Sequence, residues 1–480
     1  MARQFYLAGT LASTPTLNTS LRRDVITGAV GAVVGLGLSF TGHPVPGGVV
    51  VLVAGGLILL FHKRDQFGAA SADKAAGLLV RWVVAPFNRH QTGSKPHLLA
   101  RVRLLRVARS ETSGEMAMFM QRGRRRRDRA LTTILRLEGQ TIGVATDTQE
   151  DTWAARVGSV FKKLTEPGIG IEQADVITRI RPHRPEQSGD PETQELYDRV
   201  AATAQDYEHW LVLRMPGRAL GDNLAAWAIE ELCDVAWERT DQVARVARAA
   251  GMKPDQVVGP RRAAALLQSC FNPDLSVDDL PELQADDDPF TRLPSFTLSP
   301  DKTALVVDAR TPDDPERMWW HTVATIPADG WPTTTVPGVW IEQLLRDLDA
   351  APWRTIIVQN RLLAKHQAVK KARIATAVAM AQEITEERQT DVSTGEGADK
   401  ADAGAWVVQD LRNQSAGDAI VMRILLSYPG ETGLRVAREA LATRLFDMGF
   451  EQVDWDEDGD QARAFMACLP LTLGVAEVDV

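Results

Sequence analysis

Apolar and polar positions along the chain change their period more than once, and each change predicts a different kind of element. Residues 25–61 come first, 37 positions without one Asp, Glu, Lys or Arg. Crossing about 30 Å of hydrocarbon at about 1.5 Å per residue takes about 20 apolar residues. The run is too long for one helix. Its middle, FTGHPVPGG, is turn chemistry, with two prolines that lack the N–H a helix interior needs. The pattern therefore predicts a hairpin of two transmembrane helices, 25–41 and 46–61. Gly28, Gly31 and Gly35 stand at a spacing that lets helices approach closely in lipid. The general enrichment of glycine in membrane helices accounts for them equally well. A signal peptide would show a single apolar core and a cleavage site, whereas here a second span follows at once.

Residues 75–87, AAGLLVRWVVAPF, are apolar but too short to span. They read as an interfacial helix or as a docking helix of the body. From Ala130 onward, short apolar or alternating runs are separated by amphipathic segments. Strands are predicted over 131–137, 140–145, 174–180 and 209–215, and helices over 152–164, 224–250 and 261–271. Residues 272–300, rich in Asp and Pro, read as a linker or long loop. A second alternating block follows. It has strands over 303–308, 319–326, 354–360, 419–428 and 450–455, and helices over 339–348, 362–389, 434–448 and 461–468. The two blocks have similar strand–helix content, which hints at duplication, but no clear sequence repeat is visible.

The chain of 480 residues has room for two or three folding units. The expected fold is α+β, a mixed α/β cytosolic body behind an N-terminal two-helix transmembrane hairpin. Its parts would be a cytoplasmic tail (1–24), the hairpin (25–62), a basic juxtamembrane segment (63–129) and two α/β subdomains (130–290 and 291–480). Cys233, Cys270 and Cys468 are widely spaced and odd in number, so they suggest neither a disulfide framework nor a zinc site. Charge is uneven. Residues 1–140 hold 20 Lys+Arg against 7 Asp+Glu, and the remainder holds 34 against 56. Basic residues flank the hairpin and the loop inside it has none, which puts both termini and the body in the cytoplasm, at the inner membrane. Arg101, Arg103, Arg106, Arg122, Arg124, Arg125, Arg126, Arg127 and Arg129 form a basic patch suited to anionic lipid. A solvated linker or a nucleic-acid contact would use the same residues. No aromatic interleaves the basic run 121–129, and the acidic body would be repelled by DNA, so direct nucleic-acid binding is not expected.

Catalytic chemistry finds little support. YPGETGL (Tyr428 to Leu434) lies between a strand and a helix, the setting of a phosphate-binding loop, but GK[ST] occurs nowhere. A turn with a helix N-cap at Glu431 or Thr432 explains it. Asp286, Asp287 and Asp288 lack the Gly and Glu of a calcium loop and read as a solvated acidic stretch. In WWH, Trp319 and His321 share one face of a strand and Trp320 takes the other, as in a packed core with a satisfied histidine. Neither an enzyme nor a cofactor is expected.

The layout as a whole resembles an actinobacterial conjugation protein. In that family a PrgI-like membrane unit is fused to the N-terminal, non-motor half of a type IV secretion ATPase. AIVMRILLSYPGETGLRVAREALATRLFDMGFEQVDWDEDGDQARAFMACLPL carries most of the likeness. LEGQTIGV with its following Trp153 and Lys163, DVITRIRP, and the 362–389 segment also fit. The resemblance implies a membrane-anchored accessory part of a conjugative type IV-like secretion machine. Its partners would be a cytosolic motor ATPase, other channel subunits and anionic lipid, within an oligomeric complex. It implies no catalytic residues. The alternative is the membrane subunit of a type VII secretion complex, which also has two N-terminal spans and a cytosolic domain.

Overall fold

The computed structural model describes residues 4–5 and, with interruptions, 102–473. The segments 6–101, 122–128, 139–146, 218–228, 278–289, 346–351 and most of 364–416 lie outside the described residues. The predicted hairpin, with Gly28, Gly31 and Gly35, falls among them, as do the 140–145 strand and Asp286–Asp288. Among the described residues, no helix is long and apolar enough to cross a membrane.

The described body is mixed α/β, built on one large antiparallel sheet of eleven strands. A two-residue strand β1 (Gln4–Phe5) stands apart and pairs with β11 (Val336–Pro337). The main sheet begins with β2 (Val102–Ala108) and β3 (Glu115–Gln121). These two strands correct the expectation that 63–129 is only a juxtamembrane segment. The arginine density of 101–129 hid the apolar run Met116–Met120, whose side chains alternate between two cores. Ala117 and Phe119 face one, and Met116, Met118 and Met120 the other. The first half continues with β4 (Ala130–Glu138), α1 (Asp147–Leu164), β5 (Gln173–Pro182), α2 (Pro191–Ala201) and β6 (Gln205–Pro216). It closes with α3 (Ile229–Ala249), β7 (Lys253–Val257) and α4 (Pro260–Phe271). The second half holds β8 (Phe296–Leu298), β9 (Leu305–Asp308), β10 (Met318–Ile326), α5 (Glu342–Leu345) and β12 (Arg354–Leu363). It ends with β13 (Gly417–Tyr428), α6 (Glu431–Asp447) and α7 (Gln461–Ala467).

The strand order exposes a repeat that the sequence conceals. Across the sheet it runs β2-β3-β4-β6-β5, then β12-β13-β10-β9-β8. Read from its outer edge, each half has the same plan. β5 and β12 pair at the centre, with Ile177 opposite Ile357, an approximate two-fold axis. Ile134 and Val323, and Val212 and Leu425, occupy equivalent places, all in one shared core. After the longest strand of each half, β6 or β13, comes a helix (α3, α6) that ends in a left-handed glycine. Gly251 has φ 81° and Gly449 φ 82°, the conformation that closes a helix without a Cβ penalty. The chain then touches β4 or β10 again, through β7 or through the Thr325–Asp454 bridge, and enters α4 or α7. Cys270 and Cys468 sit equally far beyond the two glycines.

Three cores hold the layers together. α1 and α3 cover one face of the first half, and α6 covers the same face of the second. α4 and α7 cover the opposite face in a core common to both halves, where the Phe271 and Phe465 rings meet edge-on at 4.9 Å. The two halves, expected as subdomains 130–290 and 291–480, share one sheet and one core. Of 272–300, expected as a linker or long loop, the described residues Val277 and Phe290 are buried in the shared core and β8 pairs with β9. The segment 362–389 does not start as a helix, because β12 runs on to Leu363.

Candidate functional site

The seam between the halves gathers most of the buried polar groups. Beyond α4, Asp274 crosses to the second half. It accepts two bonds from Arg317, both 2.8 Å, and one from Trp319 Nε1 at 3.0 Å. The Arg317 guanidinium also lies over the Trp319 ring, 4.9 Å from its centre. Beyond α7 the reciprocal arm crosses to the first half. The Leu471 carbonyl accepts from Gln121 Nε2 at 2.6 Å, and the Thr472 hydroxyl bonds that of Thr132 at 3.0 Å. Each half is thus clasped by the chain leaving the other.

Two polar centres flank the Ile177–Ile357 pair at symmetry-related places. On one side Asp175 faces Gln359, and on the other Arg179 faces Thr355. Arg179 donates to Ser269 Oγ on α4 at 2.7 Å and pairs with Glu208 at 3.4 Å. Arg181 bonds the same carboxylate at 3.0 Å. The crevice beside Arg179, Ser269 and Cys270 has a volume of about 20 Å³, room for one water. Arg354, 2% exposed, donates to the carbonyls of Leu344 (3.0 Å) and Leu345 (2.5 Å), so it ties α5 to this end of the seam. Burial raises the Cys270 thiol and pushes that of Cys233 up to about 11. Both stay protonated at neutral pH, which disarms them as nucleophiles.

His321 is fully buried as the WWH alternation predicts, on the face of Trp319. Its Nε2 lies 3.0 Å from the Phe271 carbonyl, which can only accept, so Nε2 carries the proton and Nδ1 accepts from Ser427 Oγ at 2.8 Å. Burial lowers its pKa to about 4. This is a neutral structural histidine linking the two halves.

The YPGETG loop corrects one detail. Gly430, at φ 127°, is the N-cap of α6 and no side chain caps the helix, so Glu431 and Thr432 lie inside the helix instead. Gly433 is required by space, because a Cβ there would run into the Tyr428 ring. An open cleft of about 320 Å³ lies beside the loop, walled in part by Asp314, Glu316 and Trp320. Among the described residues, the one cation in its lining, Arg317, is already held by Asp274.

Of the basic patch, Arg103 is exposed on the edge strand β2, Arg106 is half-buried there, and Arg129 is half-buried before β4. Arg101, Arg122, Arg124, Arg125, Arg126 and Arg127 lie outside the described residues. Among the described residues no three metal-ligating side chains gather. The seam residues Asp175, Arg179, Arg354 and Gln359 escaped the reading of the sequence. Their signal was there: charged or amide groups in the middle of otherwise apolar strands, QADVITRI and RTIIVQNRLL. No protein-family model and no curated protein matches the chain.

Proposed function

We propose that this chain is a membrane-anchored structural component of a conjugative, type IV-like secretion apparatus. It docks a separate motor ATPase and leaves hydrolysis to that subunit. The pairing of Gln4–Phe5 with Val336–Pro337 carries this reading. A strand before the apolar run is bonded to the body after it. That pairing favours both ends of the run sharing a compartment, with any crossing of a bilayer coming in pairs. An even number of crossings is what a hairpin over 25–61 provides. The body offers a docking platform whose two halves share one sheet and one core. Its acidic balance repels lipid and nucleic acid and leaves protein partners. The basic segment faces anionic headgroups, at about 1 kcal/mol per side chain near the surface.

A mild-detergent pull-down from host membranes, read by mass spectrometry, tests the docking role. A conjugation-class motor with its channel subunits is the expected catch. Type VII subunits would replace this reading with the alternative one, and an empty catch from intact membranes would overturn it. ATP turnover that survives ion-exchange polishing would overturn the accessory role. Replacing Arg124–Arg127 with Gln is expected to weaken binding to anionic vesicles and leave neutral vesicles unaffected. Equal loss on both would mean that the run acts through folding.

A further inference from the structure

The approximate two-fold axis pairs the connection between β3 and β4 with the one between β9 and β10, and their charges are opposite. Residues 122–129 hold six arginines and one aspartate, the densest cationic stretch of the chain. Residues 309–317 hold Asp313, Asp314 and Glu316, and both of their arginines are already paired. Arg310 bonds Asp308 at 2.6 Å, and Arg317 is held by Asp274. Asp314 and Glu316 are exposed at the open cleft of about 320 Å³. Met318 and Trp320, on one face of β10, line it further, with Pro429 and Gly430. A Cβ at Gly430 would meet nothing within 4 Å, so space remains on that side. Carboxylates beside an indole ring suit a guanidinium group, which is drawn to both.

Distance decides whose guanidinium groups can enter. Ala130 lies six rows to one side of the Ile177–Ile357 pair, and Trp320 five rows to the other. β4 and β10 are also five strand steps apart in the sheet. At about 3.4 Å per row and about 4.8 Å per step, the two places are separated by about 45 Å. Every residue of 122–128 is within four residues of Gln121 or Ala130, a backbone reach of about 14 Å, far short of the cleft even with a side chain added. Within one chain the run and the cleft cannot meet.

We infer that the cleft takes the arginine run of a second copy, so that copies join head to tail. The two surfaces are different, so the contact is heterologous, and each joined pair still offers one run and one cleft. Repetition gives a ring where the rotation closes and a filament where it does not. This assembly goes beyond the docking role and does not depend on it.

The test is sedimentation velocity on the full-length protein in detergent. The unaltered protein is expected to assemble at low salt and to dissociate as salt rises from about 0.05 M to about 0.5 M, because screening weakens the attraction. Two charge reversals are compared, one replacing Arg124–Arg127 with Glu, the other combining Asp314→Lys with Glu316→Lys. Each alone is expected to weaken assembly about tenfold or more. Mixed in equal amounts they are expected to assemble again, because the reversed run fits the reversed cleft. Undiminished assembly of either reversal alone would overturn the proposal, as would no recovery on mixing two folded reversals. So would an unaltered protein that stays monomeric at low salt. If the lysines unfold the chain, Asp314→Asn with Glu316→Gln is expected to show the same loss, and its undiminished assembly would overturn the proposal. The cleft reversal is expected to keep its binding to anionic vesicles, so a failed assembly and a failed membrane role are distinguishable.

Discussion

The two halves share a plan and differ at their centres. Where the second half has His321, the first has Thr132 at the equivalent place, and where the first has Asp175 the second has Thr355. Thr133 bonds Thr240 of α3 at 2.9 Å, whereas its counterpart Thr322 turns to the Thr303 carbonyl at 3.1 Å. Arg438 takes the place of Thr240 and stacks over Trp455 instead, 4.6 Å from the ring centre. On the shared core Ile134 and Val323, and Val212 and Leu425, are apolar in both halves, while Trp210 has Arg423 at its place. The buried polar positions differ in residue or in partner, since each buried polar group needs a specific partner.

The comparison breaks first if the halves do not share a core. Phe271→Ala and Phe465→Ala, each on a fully buried ring, are expected to cost about 3–5 kcal/mol apiece in denaturant unfolding. Because the rings touch, the double variant should cost measurably less than the sum. Strict additivity would mean two independent cores. A smaller difference should appear on acidification. His321 is held neutral in the fold and takes a proton in the unfolded chain, so its contribution is present above pH 6.5 and is lost as pH falls toward 4. The loss is on the order of 3 kcal/mol. His321→Gln should flatten that acid limb, and an unchanged limb would assign it elsewhere.

The clasps are unequal, which sharpens the comparison further. Asp274→Ala strands Arg317 and Trp319 and should cost about 1.5–3 kcal/mol. Thr472→Val removes a hydroxyl pair and should cost about 1 kcal/mol. Equal values would show that the arms hold by backbone alone. Two glycines give effects of opposite sign. Gly433→Ala should cost about 1–3 kcal/mol through Tyr428. Gly158→Ala, with open space around it inside α1, should stabilise by about 0.5–1 kcal/mol. Thermal melts separate the two signs.

Much of the body was legible along the chain. The strands β4, β5, β6, β10, β12 and β13 and the helices α1, α3, α4, α6 and α7 all follow from runs of apolar residues and their periods. α2 could have been read too. Asp190 before Pro191 is a helix start, and its carboxylate accepts from the Thr193 backbone N–H at 3.0 Å. No element was expected over residues 191–201, and Leu196 there stays exposed. The seam was not legible, since Asp175 and Gln359 are far apart in sequence and meet only through register.

The amino-acid sequence by itself determined the apolar run over 25–61, the charge division between a basic front and an acidic body, and the kind and place of most elements. Those properties are local: they follow from side-chain period, turn residues and composition. Only the tertiary structure decided that the two blocks form one sheet, that an axis passes between Ile177 and Ile357, and that each half is clasped by the other's outgoing chain. Strand order and register depend on which distant backbone groups pair, and a period along the chain carries no record of that choice.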